Sequence, residues 1–347
     1  MSPRLASLRS KLGVALPWLL ALGYYFGFAD QLALGTSVLV MILLTLSLDL
    51  CLGRAGILTL GQAAFFGVGA YAAGLFALHV SAEPLLGLAV ATLASAAFGA
   101  VSGALILHTE GAALLMLTLA ISALLEEVAN HSEWTGGADG LQGIKLEPVL
   151  GLFRFDLFKH TAYLYALVVL LLWFLVRESV VASPFGKSID GIRQSPARMR
   201  AIGTPVWWRR LCVYTLSAGM AGSAGALSAQ TTRFVGLTTL SVLVSGTAVV
   251  MLVLGGTRRR YGAFVGAAVY VLVQDYAAQI NPFHWMLVVG ALLMLTVLFL
   301  EGGLSSLPVA LHGALRARGT VSGGALSRTP ETVAEVAPVA EERGQVG

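Results

Sequence analysis

Charged residues and cysteines are scarce in this sequence of 347 residues. Asp, Glu, Lys and Arg together make up 12% of the chain, whereas ordinary soluble domains carry roughly 25%. The two cysteines, Cys51 and Cys212, are far apart in the sequence, which argues against a disulfide framework or a thiolate metal site. The six histidines do not show the spacing of metal ligands. The composition therefore excludes ordinary soluble and cysteine-stabilised folds.

Recognisable enzyme motifs are also missing. Residues 186–188 (GKS) resemble the end of a phosphate-binding loop, but the first glycine of that motif would fall at Val181. Residues 67–69 (GVG) fit a loose dinucleotide pattern, yet they lie inside an apolar segment rather than after a soluble strand. We therefore predict that the chain is not an enzyme and that it binds no cofactor of its own.

Hydrophobic residues, in contrast, are abundant. They make up 57% of the chain, and the mean hydropathy is +0.81, which predicts an integral membrane protein. Because about 20 apolar residues cross a bilayer as a helix, we predict an all-α polytopic fold with about ten transmembrane helices. The predicted spans are 13–28, 32–52, 57–80, 84–107, 112–130, 161–177, 211–229, 237–254, 262–280 and 284–300.

One stretch that is hydrophobic enough to span a membrane, residues 48–78, is interrupted by glycine and polar residues. The interruption consists of Gly53, Arg54, Gly56, Gly61 and Gln62. A broken helix is tolerated in a membrane where protein or a water-filled cavity satisfies the freed backbone groups, and such helices line the substrate path in many transporters. This pattern indicates a discontinuous helix in a channel or permease. The alternative is a glycine-rich packing helix with a short loop.

The distribution of basic residues predicts the orientation. With the N-terminus inside, 18 of the 22 Lys and Arg residues fall on the cytoplasmic side, as short cytoplasmic loops require. We therefore expect both termini, including residues 1–12, to be cytoplasmic. The net charge of +4 reflects this inner-face excess and gives no support for nucleic-acid binding. An alternative for the first segment is a cleavable signal peptide, whose removal would leave nine spans.

Two long loops and a tail complete the predicted organisation. Within the transmembrane domain, 13–307, a periplasmic loop covers 131–160 and a cytoplasmic loop covers 178–210, where Pro196 divides two short helical pieces. Residues 308–347 are rich in small and polar residues and are predicted to be a disordered cytoplasmic tail. Five spans on either side of the outer loop would allow an inverted five-plus-five repeat.

Carboxylates inside predicted spans offer a rival mechanism. Asp49, Glu126, Glu127 and Asp275 qualify, and burying such groups in lipid is costly unless they face a cavity or a partner. Glu126 and Glu127 are adjacent and point about 100° apart on a helix, so they cannot both face one solute. If one of them lines the path, the other packs or pairs elsewhere. A proton-coupled secondary carrier would use such acids as relays.

Three blocks of sequence resemble a known family. The blocks lie at 47–77, 118–144 (with TGGADG) and 183–227, and they are similar to the membrane-spanning permease subunits of bacterial branched-chain amino acid ABC importers, the LivM type. The resemblance covers roughly residues 30–305. Departures occur at 255–264 (GGTRRRYGAF), at 299–304 (FLEGGL), and at Asp49 and Arg54, where smaller or amide side chains are common in the family.

The resemblance implies a permease subunit that forms the translocation path of an ATP-driven importer for branched-chain or related amino acids. The implied partners are a second, LivH-like permease subunit, two ABC ATPase subunits that carry ATP and Mg, a periplasmic solute-binding protein and membrane lipid. The same architecture could instead carry urea, a short amide or another small polar solute.

Candidate site residues follow from these blocks. The predicted substrate path comprises Thr59, Gly61, Gln62, Phe65, Phe66 and Glu126. The predicted periplasmic surface comprises Thr135, Gly136, Gly137, Asp139 and Gly140. The predicted ATPase-coupling element, with the isoleucines as apolar contacts, comprises Gly186, Lys187, Ile189, Ile192, Arg193, Pro196, Ala197, Arg198, Ala201 and Gly203, together with Ile202. The alternatives are a solvated basic loop on the inner side and an ordinary turn on the outer side.

Overall fold

The computed structural model describes residues 17–27, 31–145, 147–148 and 160–280, and isolated positions between 287 and 304. Within these residues the chain is helical, and the one β-type contact is an isolated antiparallel bridge between Leu141 and Val235. The all-α prediction is therefore confirmed. The predicted tail, 308–347, lies outside the described residues.

The helices are numbered in chain order, beginning with α1 at 17–27. They continue as α2 (Leu32–Leu48), α3 (Gln62–His79), α4 (Pro84–Ile106), α5 (Ala112–His131), α6 (His160–Ala182), α7 (Pro184–Gln194), α8 (Pro196–Ala201), α9 (Val206–Thr232), α10 (Val242–Gly255) and α11 (Gly262–Ile280). A π-helical turn, Asp49–Arg54, extends α2. Short 3₁₀ turns occur at Glu133–Thr135, Gly137–Asp139 and Leu237–Thr239.

Seven of the described helices are long and apolar enough to cross a membrane: Leu32–Arg54, Gln62–His79, Pro84–Ile106, Ala112–His131, His160–Ala182, Val206–Thr232 and Gly262–Ile280. This makes the chain a multi-pass membrane protein. Helix α10 is apolar but has only 14 residues. The predicted first span is described only at 17–27, and most of the predicted tenth span lies outside the described residues, so the count of ten stays a prediction, as does the inverted repeat.

Helix α9 lies at the centre of the bundle and packs against α2, α3 and α4. Its small residues allow this close approach: a Cβ on Gly225 would overlap the carbonyl oxygen of Phe66, and one on Gly222 would overlap the side chain of Ser95. Small residues in the 217–229 stretch therefore allow tight packing between these helices.

We call one end of the bundle the basic end. It contains α7, α8, the turn Asp49–Arg54 and the α10–α11 connection, as contacts between these elements show. The opposite end contains the start of α4, where the carbonyl oxygen of Pro84 accepts hydrogen bonds from Tyr165 of α6 and Gln230 of α9. The spans therefore run between two chemically distinct ends.

Candidate functional site

The interruption predicted in the stretch 48–78 is present. Helix α2 passes into the π-helical turn Asp49–Arg54, residues 55–61 are not helical, and α3 begins at Gln62. Gly56 has a φ of +68°, and a Cβ at this position would also meet the side chain of Arg193 in α7. Glycine is therefore required here for both conformation and space.

Hydroxyl groups from three elements satisfy the backbone at the break. The N–H of Leu60 donates to Oγ1 of Thr118 in α5 (3.2 Å), and the N–H of Gly61 donates to Oγ1 of Thr59 (3.0 Å). The N–H of Ala63 donates to Oγ of Ser245 in α10 (2.8 Å). Non-helical backbone at membrane depth requires such partners. These hydrogen bonds therefore stabilise the interruption inside the bundle.

The side chain of Gln62 lies at the centre of the break and is fully buried. Its Nε2 donates to Oγ of Ser217 (3.0 Å), and its Oε1 accepts from Oγ of Ser47 (3.3 Å). The Ser217 hydroxyl in turn donates to the Ser47 carbonyl oxygen (2.7 Å). Ser217 is about 16 Å along α9 from Val206, so this site lies well inside the membrane-spanning region.

We call this group the neutral cluster. Its members are Ser47, Thr59, Gln62, Thr118, Ser217 and Ser245. None of these side chains is ionisable in the physiological range, and all six are buried. Such a cluster can exchange hydrogen bonds with a polar solute without the cost of moving a charge into lipid.

The predicted phenylalanines lie beside the neutral cluster but are packed in the core. The ring of Phe65 meets Tyr214 edge-on, with centroids 5.2 Å apart, and Phe98 at 6.1 Å. Phe66 is also buried, and its carbonyl oxygen faces Gly225. In this conformation both rings therefore contact protein rather than an open channel.

Glu126 lies on α5, two turns beyond Thr118 towards the opposite end, and is half-buried. Among the described residues it has no ion-pair or hydrogen-bond partner. Its neighbour Glu127 is exposed and pairs with His131, Nδ1 to Oε1 3.2 Å. The two carboxylates thus lie in different surroundings, as their adjacent positions on a helix predicted.

The predicted periplasmic residues form a compact turn at the opposite end. Thr135 Oγ1 donates to the carbonyl oxygens of Ala129 (2.6 Å) and Ser132 (2.8 Å), which fixes the turn to the end of α5. Gly136, Gly137 and Gly140 all have positive φ. Gly140 is buried, and a Cβ there would overlap the carbonyl oxygen of Val235.

Gly136 is exposed, but the large accessible side chains of this turn lie at other positions. Asp139 is exposed, and so are two residues that sequence reasoning did not single out, Glu133 and Trp134. The Trp134 side chain is 78% exposed. Aromatic side chains such as this one are enriched at protein interfaces, and Trp134 was visible in the sequence as HSEWTGG.

The predicted coupling element consists of two short helices at the basic end. The Ser183 and Ser195 hydroxyls accept from the N–H groups of Gly186 and Arg198 and so cap α7 and α8. Pro196 occupies the first turn of α8, and the predicted division at this proline is confirmed. Pro196 is half-buried, and Gly186 packs against the end of α6, where a Cβ would overlap the Val180 and Val181 carbonyl oxygens.

The apolar side of this element faces the chain's own core. Ile189 and Ile192 are buried in the main hydrophobic core, so they stabilise the docking of α7 onto the bundle rather than offering a surface to a partner. Ile202, in contrast, is 70% exposed. The other exposed members of the predicted element are Lys187, Arg193, Ala197, Arg198, Ala201 and Gly203.

A buried ion pair lies between this element and the neutral cluster. Arg177 of α6 and Asp49 are 0% and 1% exposed, and Arg177 Nη2 lies 2.5 Å from Asp49 Oδ2. The second Asp49 oxygen accepts from the N–H of Arg258 (2.9 Å). Glu178 pairs with Arg177 at 2.7 Å and with Arg260 at 2.9 Å.

We call Asp49, Arg177, Glu178 and the arginines that contact them, Arg258 and Arg260, the charge cluster. It extends to α7. Asp190 pairs with Arg258 (3.2 Å) and Arg54 (3.7 Å), and Arg193 Nη1 donates to the Gly53 carbonyl oxygen. The turn Asp49–Arg54 is therefore attached to α7 at one end and leads directly into the neutral cluster at the other. Sequence reasoning noted Asp49 as an intramembrane acid but missed Arg177 as its partner.

Comparisons with known proteins show which family the chain belongs to. The sequence model of the family described as branched-chain amino acid transport system / permease component matches residues 31–298. The chain is 26% identical to the high-affinity branched-chain amino acid transport system permease protein LivM of Salmonella typhimurium over 293 residues, which is 78% of this chain and 69% of that protein. It is 25% identical to LivM of Escherichia coli over 315 residues, or 84% and 72% of the two chains.

No solved structure matches the chain. The family match extends over most of the described helices, from the start of α2 through α11, and includes the neutral cluster, the charge cluster and α7–α8. This chain belongs to the branched-chain amino acid transport permease family.

Proposed function

We propose that this chain is the transmembrane permease subunit of an ATP-driven importer in the bacterial inner membrane, and that it carries branched-chain or related small amino acids. The observation that carries the proposal is the neutral cluster at the start of α3, inside a chain of the permease family. Its buried amide and hydroxyl groups can hydrogen-bond the polar ends of an amino acid. Phe65, Phe66 and Glu126 would border the path when the helices separate.

The packing around the cluster supports a closed state. Gln62, Phe65 and Phe66 are buried, so solute can pass only if α3 or its neighbours move. Movement of this kind requires work, and the chain carries no phosphate-binding motif of its own. Two separate ATPase subunits would supply that work.

The exposed side of α7–α8 is the proposed docking surface for an ATPase subunit. Ala197, Arg198 and Ala201 lie on α8, and the adjacent Ile202 offers an exposed apolar side chain. A short helix with an exposed apolar side chain can dock in a groove on a partner. A displacement of α7 would reach the neutral cluster through Arg193 and the carbonyl oxygen of Gly53.

In the proposed orientation the basic end lies in the cytoplasm, because short cytoplasmic loops collect Lys and Arg. The turn with Trp134 and Asp139 then faces the periplasm and would receive the solute-binding protein. A second permease subunit would complete the path. Both termini would be cytoplasmic.

The proposal is tested by reconstituting the chain in liposomes with its ATPase, second permease and solute-binding partners. Uptake of labelled leucine should depend on ATP and on the binding protein, and this chain alone should transport nothing. A197E should stop uptake while ATP hydrolysis continues, and A197S should retain uptake. Unchanged uptake in A197E, or transport by the isolated chain, would refute the proposal.

The same neutral cluster would also suit urea or a short amide, since each forms hydrogen bonds without carrying net charge. Calorimetric titration of the partner binding protein with leucine, urea and acetamide distinguishes these solutes. Tight binding of leucine would support the amino-acid assignment, whereas tight binding of urea or acetamide would replace it.

A further inference from the structure

A half-open cavity of about 420 Å³, with both apolar and polar lining residues, lies at the basic end, where the connection between α4 and α5 meets α8 and the start of α9. It is separate from the neutral cluster. Its polar and aromatic lining includes His108, Glu110, Arg200, Trp207, Trp208 and Arg210. This combination of guanidinium groups and indole rings is unlike the apolar surface of the neighbouring spans.

The cavity has an excess of positive charge. Arg210 Nη1 lies 2.7 Å from Oε1 of Glu110, and Arg200 Nη2 lies 3.8 Å from the same oxygen. Two guanidinium groups thus share one carboxylate oxygen. An additional anion in the cavity would be attracted by the charge that Glu110 leaves uncompensated.

Two hydrogen-bond donors in the cavity wall lack acceptors. Trp207 Nε1 and Arg210 Nε are shielded from solvent and have no hydrogen-bond partner in the part of the chain that the structure describes. The His108 ring lies against the Trp207 ring, with centroids 5.4 Å apart, and restricts its orientation. Because an unpaired buried donor is costly, side-chain movements that bring these two donors to an acceptor-rich ligand in the cavity would be favourable.

The location indicates that the ligand comes from the membrane. The cavity lies at the ends of three spanning helices, α4, α5 and α9, where the polar headgroup layer is expected. Trp208 is mostly exposed beside it, and α4 exposes Val101 and Leu105 in its last two turns. Tryptophan and arginine together are typical of the membrane–water interface.

We propose that this cavity binds the phosphate group of an anionic phospholipid, with Arg200, Arg210 and the Trp207 Nε1–H as its contacts and the acyl chains along the end of α4. The proposal requires only that these helices span a membrane, and it is independent of the transported solute. A lipid held here would lie between α5, which contacts the neutral cluster through Thr118, and α8.

Native mass spectrometry of the full chain in detergent tests the proposal by titration with phosphatidylglycerol. Phosphatidylcholine with identical acyl chains and inorganic phosphate serve as comparison ligands. R200Q/R210Q should weaken phosphatidylglycerol binding by about tenfold or more, since each basic residue at a membrane surface contributes several-fold. W207F, which keeps the ring but removes the donor, should weaken it by about tenfold, as loss of a hydrogen bond to a charged group predicts.

The chain offers a matched control at an adjacent position. Arg209 does not line the cavity, because its Nη1 donates to Ser188 and its guanidinium lies over the Phe185 ring on the α7 side. R209Q should therefore retain most of the affinity. Equal binding of the two lipids, or equal binding by R200Q/R210Q, W207F and the unmodified chain, would overturn the proposal.

Two further outcomes would also overturn it. If inorganic phosphate binds as tightly as phosphatidylglycerol, the site is a soluble-anion site rather than a lipid site. If the partner ATPase expels the bound lipid on assembly, the cavity is part of the protein interface.

Discussion

The neutral cluster and the charge cluster are both buried and polar, yet they are built from different chemistry. The neutral cluster uses one amide and five hydroxyl groups at the start of α3. The charge cluster uses the buried Asp49–Arg177 pair and the surrounding arginines at the basic end. They are joined by the turn Asp49–Arg54 and residues 55–61.

The difference concerns how easily each cluster can rearrange. A neutral hydrogen bond contributes only about 1 kcal/mol net, so a solute can replace it at little cost. Removing one partner of a buried ion pair costs about 3–5 kcal/mol, because the other charge is left unpaired. We therefore expect the charge cluster to hold the turn in place against α7 and the neutral cluster to change partners during transport.

The largest effect is expected from R177M. It leaves the Asp49 carboxylate buried with the N–H of Arg258 as its one remaining partner among the described residues, and should lower the free energy of unfolding by about 3–5 kcal/mol. Denaturant unfolding of the detergent-solubilised chain measures this change. The double variant D49N/R177M removes both charges and should recover much of the loss. Equal stabilities of the single and double variants would contradict the buried-pair interpretation.

Q62L should have the next largest effect. It removes the donor to Ser217 and the acceptor for Ser47, and should cost about 1–3 kcal/mol of stability as well as abolish uptake. The matched control is Q230L, since Gln230 is also a buried amide and donates to the Pro84 carbonyl oxygen away from the path. Q230L should cost less stability, because Gln230 Oε1 has no hydrogen-bond partner among the described residues, and it should retain uptake. Equal loss of uptake in the two variants would remove Gln62 from the proposed path.

S245A is expected to have a smaller effect. It removes the acceptor for the N–H of Ala63 at the start of α3, a loss comparable to that of a helix cap, about 1 kcal/mol. The control is T247A, because the Thr247 hydroxyl donates only within its own helix, to the Val244 carbonyl oxygen. Thermal unfolding of the two variants provides the comparison, and an S245A chain as stable as T247A would show that this acceptor is unnecessary.

The smallest effect is expected from R54Q. The Arg54–Asp190 pair is 3.7 Å long and partly exposed, and exposed pairs of this kind contribute about 0–1 kcal/mol. Unfolding of R54Q in low and high salt should therefore differ little from that of the unmodified chain. A loss as large as that of R177M would mean that the charge cluster acts as one unit.

The sequence predicted the elements whose signals are local. Gly53, Gly56 and Gln62 stand out in an apolar stretch, and the structure has a break there. Pro196 predicted two short helices because proline favours the first turn of a helix and disrupts its interior. The membrane class and the all-α fold followed from composition and from the length of the apolar segments.

Contacts between distant residues could not be predicted in this way. Arg177 lies at the end of a predicted span and was counted as a cytoplasmic charge, but α6 continues to Ala182 and places it against Asp49. Hydroxyl groups such as Ser217 and Ser245 are common in membrane helices and have no distinctive local signal. The spacing of Ile189 and Ile192 predicted an apolar face but not whether it packs on this chain or on a partner.

The central claim, that solute passes the neutral cluster during powered transport, is tested most directly by thiol labelling of S217C in the assembled importer with the native cysteines replaced. Ser217 is fully buried in this structure, so a membrane-impermeant thiol reagent should not react in the resting complex. Reaction should begin when ATP, binding protein and solute are all present. Labelling that is the same in the resting and turning-over complexes, or absent from both, would contradict the account.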